Sequence, residues 1–208
     1  MYWMLGLSYL VGSIPTAYLA GRALNKGDIR VRGDGNVGSQ NAAHLFGLRV
    51  GIAVFIVDGL KGIVVIALAR SIDSSLPFIF LSGMACVIGQ AWSVFLGFKG
   101  GRGEATSIGV LTALITWPMV IAGALSLAAL QVTKSVIKAS VVLFVPLSPL
   151  CLAGGFSWQL IDFSVALPVL LGLIHLIKEK QQAALVVLAS AQAIPDPDQP
   201  CKIEPSDD

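Results

Sequence analysis

Charge is what this sequence has least of. Asp, Glu, Lys and Arg make up 12% of its 208 residues, while 55% are apolar. A soluble domain carries roughly 25% charged residues, so a soluble globular fold is excluded. Cysteine is limited to Cys86, Cys151 and Cys201. An odd, scattered set gives no disulfide framework and no metal-ligand spacing; the first two lie in apolar runs and read as free, buried thiols. Strict alternation of apolar and polar residues is also missing, which excludes a β-barrel. No basic residue precedes the first apolar run, residues 2–24, whereas Arg22, Lys26, Arg30 and Arg32 lie at its end or beyond it. A secretory signal has the opposite order. The run therefore reads as a retained first helix with its N-terminus outside.

What remains is a succession of apolar runs near the roughly 20 residues that span a bilayer. They cover residues 2–24, 50–69, 77–96, 107–132, 139–152 and 163–177, and Trp117-Pro118 interrupts the fourth. Proline removes a helical donor and disfavours helix at the residue before it. The interrupted run is either one kinked span or a half-helix, 107–116, followed by a returning helix. A half-helix of about 15 Å is too short to cross and must be buried among other helices.

Charge placement favours the second arrangement. With the N-terminus outside and a reversal at Trp117-Pro118, Lys26, Arg30, Arg32, Arg49, Lys99, Arg102, Lys134, Lys138, Lys178 and Lys180 all face the cytoplasm, and Arg70 is the exception. The expected fold is all-α: a polytopic integral membrane protein of about seven transmembrane segments, some short, with a cytoplasmic C-terminus; about five spans is the alternative. Residues 1–192 form a single membrane-embedded domain. Residues 193–208 are proline-rich and acidic and read as a disordered cytoplasmic tail.

Several polar regions fall on the expected cytoplasmic face. Residues 28–44, "DIRVRGDGNVGSQNAAH", combine Gly33, Gly35 and Gly38 with Asn36 and Asn41. Turn backbone and side-chain amides suit anions and hydroxyls; an ordinary solvated loop is the other reading. Residues 98–106, "FKGGRGEAT", place Lys99 and Arg102 around Gly100, Gly101 and Gly103 ahead of a helical segment. Glycines let amides approach a phosphate, and a helix N-terminus adds partial positive charge. A basic connector is the plainer alternative. The order of a Walker A loop is absent. In "DGLKG", residues 58–62, Asp58 and Lys61 share one helical face. Burying either charge alone in hydrocarbon costs about 3 kcal/mol or more, so the pair is structural or walls a polar site. His44 and His175 are the two histidines, and both fall on this face. Lys134 abuts it.

Residues 12–22 (GSIPTAYLAGR), 28–30 (DIR), 33–41 (GDGNVGSQN), 58–62 (DGLKG) and 95–106 (FLGFKGGRGEAT) resemble, in order and spacing, the bacterial acyl-phosphate–glycerol-3-phosphate acyltransferases of the PlsY type. The resemblance implies a membrane acyltransferase domain. It would move a fatty acyl group from acyl phosphate to glycerol 3-phosphate, giving lysophosphatidic acid for phospholipid synthesis. Expected partners are those two substrates and membrane lipid, with no nucleic acid, no cofactor and no metal. A monomer in the bacterial inner membrane is expected, its active site facing the cytoplasm. His175, Asp34 and His44 are the catalytic candidates. Gly33, Gly35, Asn36, Gly38, Asn41, Asp58, Lys61, Lys99, Gly100, Gly101, Arg102, Gly103, Thr106 and Lys134 are the substrate-binding candidates.

The chain departs from the family at identifiable places. Asp34 stands where the family has a serine, and Arg30 and Arg32 are its expected partners. His44 replaces an arginine, Gln90 a histidine, Ser93 a proline and Arg102 a lysine. Glu104 replaces an apolar residue, Lys134 an arginine, Ile137 a serine, and Lys178 an asparagine. An altered or inactive member that binds phospholipid or phosphate ligands is therefore the alternative. A transporter is a third reading, though no repeat of the kind such folds use is visible.

Overall fold

The computed structural model describes residues 2–192, and side chains up to residue 181. The proposed tail, 193–208, and with it Cys201, lies outside the described residues. Among those described, the secondary structure is helical throughout. Ten α-helices follow in order: α1 Trp3–Ser13, α2 Thr16–Ala23, α3 Ser39–Phe46, α4 Leu48–Ile72, α5 Leu76–Ala91, α6 Glu104–Leu114, α7 Thr116–Thr133, α8 Val136–Phe144, α9 Leu147–Ala153 and α10 Trp158–Gln192. Six stretches among the described residues are long and apolar enough to cross a membrane: Trp3–Ala23, Leu48–Ile72, Leu76–Leu96, Thr116–Thr133, Val136–Ala153 and Trp158–Gln181. The protein is a polytopic helical membrane protein. Exposed Ile52, Phe55, Ile56, Leu60 and Ile63 clothe one side of α4, a surface suited to lipid rather than water.

Prolines divide two of the apolar runs. Pro15 separates α1 from α2, and Pro146 separates α8 from α9. Trp117-Pro118 behaves differently. It lies in the first turn of α7, where a missing N–H costs nothing, and the chain breaks one turn earlier at Ile115. The half-helix preceding it, α6, starts at Glu104 rather than at residue 107. It is about 16 Å long and buried on most sides through Ala105, Thr106, Ser107, Gly109, Val110, Leu111 and Leu114. α7 then carries the chain back: Ser140 of α8 hydrogen-bonds Glu104 at the start of α6.

Glycines set the two closest helix pairings. A Cβ at Gly12 would meet the Cys86 carbonyl oxygen at 2.0 Å, and one at Gly89 the Tyr9 carbonyl oxygen at 2.1 Å, so α1 and α5 touch backbone to backbone. On the other side, a Cβ at Gly109 would lie 1.9 Å from the Gly59 carbonyl oxygen, and one at Gly62 2.5 Å from that of Thr106. Without a hydrophobic drive between helices in lipid, small residues allow the close packing that holds them. α6 is thereby fixed against α4, and its N-terminus is delivered to the end of the bundle that carries the polar loops.

Candidate active site

Residues 24–47, read from sequence as a loop, contain more structure than expected. Ile29–Val31 form a short 3₁₀ turn and α3 follows. Asp28 and Arg30 pair at 2.6 Å, with Arg30 Nε donating to both carboxylate oxygens of Asp28. That pairing holds the Asp28 carboxyl below its usual range. Arg30 also lies 5.1 Å over the Tyr18 ring. Arg30 thus engages Asp28, not the expected Asp34, while Arg32 Nη1 donates to the Lys26 carbonyl. Asp34 is exposed, and its Oδ1 accepts the Asn36 amide at 3.0 Å. This is a local turn that a serine hydroxyl can also close. Asn41 is buried, and its Nδ2 donates to the carbonyls of Arg32 and Asn36 at 3.1 and 3.0 Å. Its side chain stitches the loop from inside. Gly33 has φ +61°, and a Cβ there would lie 2.1 Å from Asn41 Oδ1.

The glycine loop also turns inward. The Gly100 amide donates to the Ala91 carbonyl at 3.2 Å and the Gly101 amide to the Gln90 carbonyl at 2.9 Å. A Cβ at Gly100 would overlap the Gln90 carbonyl oxygen at 2.2 Å, and one at Gly101 would crowd the Val37 carbonyl oxygen at 2.6 Å. These amides cap the C-terminus of α5 instead of facing a ligand. The amides that remain for an anion belong to the first turn of α6, since its first helical bond runs from Ser107 N–H to the Gly103 carbonyl. Gly103, at φ +83°, supplies the left-handed residue before the helix.

Three cavities meet at this end of the bundle. The first is polar and lies over the head of α6. Asn36, Gly38, Asp58, Gln90, Arg102, Gly103 and Thr106 line it. The second, a basin of about 740 Å³, shares Asn36 and adds Arg30, Gly35, Lys99, Gly100 and Lys178. The third is an apolar groove of about 310 Å³ between α8 and α10, walled by Val136, Ile137, Val141, Phe144, Pro168 and Leu171. Its polar end carries His175, Arg102, Glu104 and Gln40, and the last three also line the first cavity. His175 Nε2 lies 3.8 Å from Glu179.

Beneath the first cavity sits a buried ionic cluster. Lys61 Nζ donates to Asp58 at 2.6 Å and to Gln90 Oε1 at 3.0 Å, and also to the Ile14 carbonyl. Gln90 Nε2 donates in turn to the second Asp58 oxygen at 3.1 Å. All three ammonium protons of Lys61 are therefore used within the protein. Asp58 faces the cavity, and Lys61 holds it there from below.

The structure thus brings Gly35, Asn36, Gly38, Asp58, Lys99, Gly100, Arg102, Gly103, Thr106 and His175 to the cavities. It does not bring Asp34, His44, Gly33, Asn41, Lys61, Gly101 or Lys134 to their walls. His44 is exposed on α3, and Lys134 forms the exposed left-handed turn (φ 53°) between α7 and α8. Gln40, Gln90, Glu104, Ser140 and Lys178 line the cavities or build them without having been singled out as site residues. Gln90 had a readable signal: an amide buried in an apolar membrane run is a polar-site marker by default.

A buried helix N-terminus beside a basic basin, opening onto an apolar groove, defines a helical integral membrane protein built to hold anionic amphiphiles. Residues 2–188 match the family model for glycerol-3-phosphate acyltransferase. The chain is 45% identical over 175 residues to glycerol-3-phosphate acyltransferase 4 of Dehalococcoides mccartyi, covering 84% of this chain and 95% of that one. It is 40% identical to the glycerol-3-phosphate acyltransferase of Desulforudis audaxviator, covering 79% and 82%. The crystal structure of PlsY (YgiH), an integral membrane glycerol 3-phosphate acyltransferase in its glycerol 3-phosphate form, superposes with a TM-score of 0.77 at 26% identity, covering 88% and 91%. Its lysophosphatidic acid form gives 0.75 at 25% identity, with the same coverage. This protein belongs to the glycerol-3-phosphate acyltransferase family.

Proposed function

We propose that this protein transfers an acyl group from acyl phosphate to glycerol 3-phosphate, producing lysophosphatidic acid and inorganic phosphate. One observation carries the reading. Gln40, Arg102 and Glu104 line both the polar cavity at the head of α6 and the apolar groove between α8 and α10. A molecule with a phosphate at one end and an alkyl chain at the other fits that junction. Its chain lies in the groove, and its phosphate meets Arg102 and the first-turn amides of α6, where an anion is favoured.

The second substrate is also anionic, and the adjoining basin with Lys99 and Arg30 suits it. The acceptor hydroxyl oxygen attacks the carbonyl carbon, and the bond from that carbon to the phosphate oxygen breaks. Phosphate leaves with the electron pair. The hydroxyl proton passes to that phosphate or to His175, which sits at the polar end of the groove. Because acyl phosphate is already an activated anhydride, catalysis consists of alignment and of stabilising the carbonyl oxyanion. No acyl-enzyme is required.

The family-wide departures at Asp34 and His44 fall outside the cavity walls. Asp34 closes a turn that the family's serine can close as well. That placement supports an active enzyme over an inactive binder. The domain of residues 1–192 works as a monomer in the bacterial inner membrane, with its site on the cytoplasmic face, where both substrates are made. Expression in a bacterial strain lacking its own glycerol-3-phosphate acyltransferase tests this: growth without glycerophospholipid precursors is expected. Failure to grow, with the protein present in the membrane, refutes the assignment.

A further inference from the structure

The basin next to the polar cavity carries more cationic charge than its paired groups can balance. Arg30, Lys99 and Lys178 face it, and the carboxylate in its wall, Asp28, is committed to Arg30 at 2.6 Å. Lys178 differs from the other two because it is buried, at 8% exposure. Its ammonium lies 5.4 Å from the centroid of the Trp92 ring, within range of a cation–π contact. Among the described residues no carboxylate lies within ion-pair distance of it. An intramembrane cation left without an anion is costly, and a cavity that admits an anionic ligand removes the cost.

α10 places this lysine with respect to the reaction. Lys178 follows His175 by three positions, so both side chains emerge on neighbouring parts of one helical face. His175 lines the apolar groove and Lys178 the basin. A phosphate continuous with an alkyl chain belongs to the groove and its head at Arg102. The basin offers Val31 and Phe98 as its apolar wall residues, so it takes the substrate without a chain.

We infer that Lys178 binds the phosphate of the acyl acceptor, a phosphate monoester dianion, and makes the enzyme select a phosphorylated polyol over a neutral one. Trp92 pre-positions the ammonium, and α10 holds it one turn from the group at the reacting centre. The inference rests on the acyltransferase reading and assigns one residue within it.

The test uses the purified full chain in detergent and the variants K178Q and K178R. With acyl phosphate saturating, K178Q is expected to raise the KM for glycerol 3-phosphate at least tenfold. The KM for acyl phosphate should stay within twofold, and K178R should recover most of the loss. Unchanged KM values, or equal rises for both substrates, overturn the inference and leave the acyltransferase reading intact. A lysine that merely packs on Trp92 would shift the melting temperature of the variant and not the KM ratio. If the wild type shows no turnover, glycerol 3-phosphate is added in a thermal-shift experiment. Stabilisation of the wild type that K178Q loses sinks the acyl-transfer reading alone. Stabilisation that K178Q keeps, or none in the wild type, overturns the Lys178 assignment.

Discussion

Lys61 lies 2.6 Å from Asp58, one turn along α4, with both side chains almost fully buried. Gln90 of α5 completes the cluster by accepting from Lys61 and donating to Asp58. The pair therefore ties α4 to α5 beneath the polar cavity and presents a carboxylate to it.

Removing one partner of a buried ion pair leaves the other uncompensated, at a cost of about 3–5 kcal/mol. Lys61→Ala and Asp58→Ala are each expected to lower the unfolding midpoint in detergent sharply. The double variant should lose less than the sum of the two, because the interaction is already gone. Additive losses would show that the pair is not coupled.

Gly100 has no room for a side chain, since its Cβ would sit 2.2 Å from the Gln90 carbonyl oxygen. Gly100→Ala is expected to push the loop off the end of α5, displace the start of α6 and cut kcat/KM by more than roughly tenfold, on the scale of a misplaced positioning element. Gly97→Ala tests the contrast. Gly97 also has a positive φ, 62°, but nothing lies within 4 Å of its Cβ position. It should cost about 1 kcal/mol of stability and leave activity largely intact.

The long apolar runs, their approximate order and the buried half-helix were legible because length, hydropathy and the Trp117-Pro118 break are local signals. The role of the glycines was not. From sequence, Gly100 and Gly101 read as amides freed for a phosphate; in the fold their N–H groups cap α5, and α6 supplies the open amides. That exchange depends on α5 ending beside the loop, which no spacing reveals. α3 was missed because Gly38 and the asparagines around it read as loop. It forms because Ala42 and Phe46 bury one face and Ala43 packs against Gly51 of α4. Asp34 and His44 drew attention as unusual residues, whereas the cavity walls recruit the quieter Gln40 and Gln90.

Asp34 accepts the Asn36 amide at 3.0 Å, a job a hydroxyl can do. Asp34→Ser is expected to keep kcat/KM within about twofold, whereas Asp34→Ala loses about 1 kcal/mol from the turn and loosens Asn36. Steady-state kinetics on both variants checks this. A large loss in Asp34→Ser would show that the carboxylate charge itself is needed.

The Arg30 guanidinium hydrogen-bonded to Asp28 lowers the Asp28 pKa below its model value of 3.8. A depressed folded-state pKa contributes stability that is present above the unfolded value and is lost as pH falls through the folded one. Amide-exchange protection across residues 28–32 is therefore expected to hold down to about pH 4 and to fall below it. In Asp28→Asn that acid step should vanish. Protection that decays equally in both proteins would exclude the ion pair as its source.

The central claim is that a phosphate-headed acyl donor held at the junction of Arg102 and the apolar groove gives its acyl group to glycerol 3-phosphate. The most direct measurement is product formation by purified protein in detergent, supplied with palmitoyl phosphate and isotopically labelled glycerol 3-phosphate, alongside Arg102→Ala and His175→Ala. Labelled lysophosphatidate from the wild type, with rates lowered by about 10²-fold or more in the variants, is the predicted result. Folded wild-type protein that forms no lysophosphatidate from the two substrates would contradict the account.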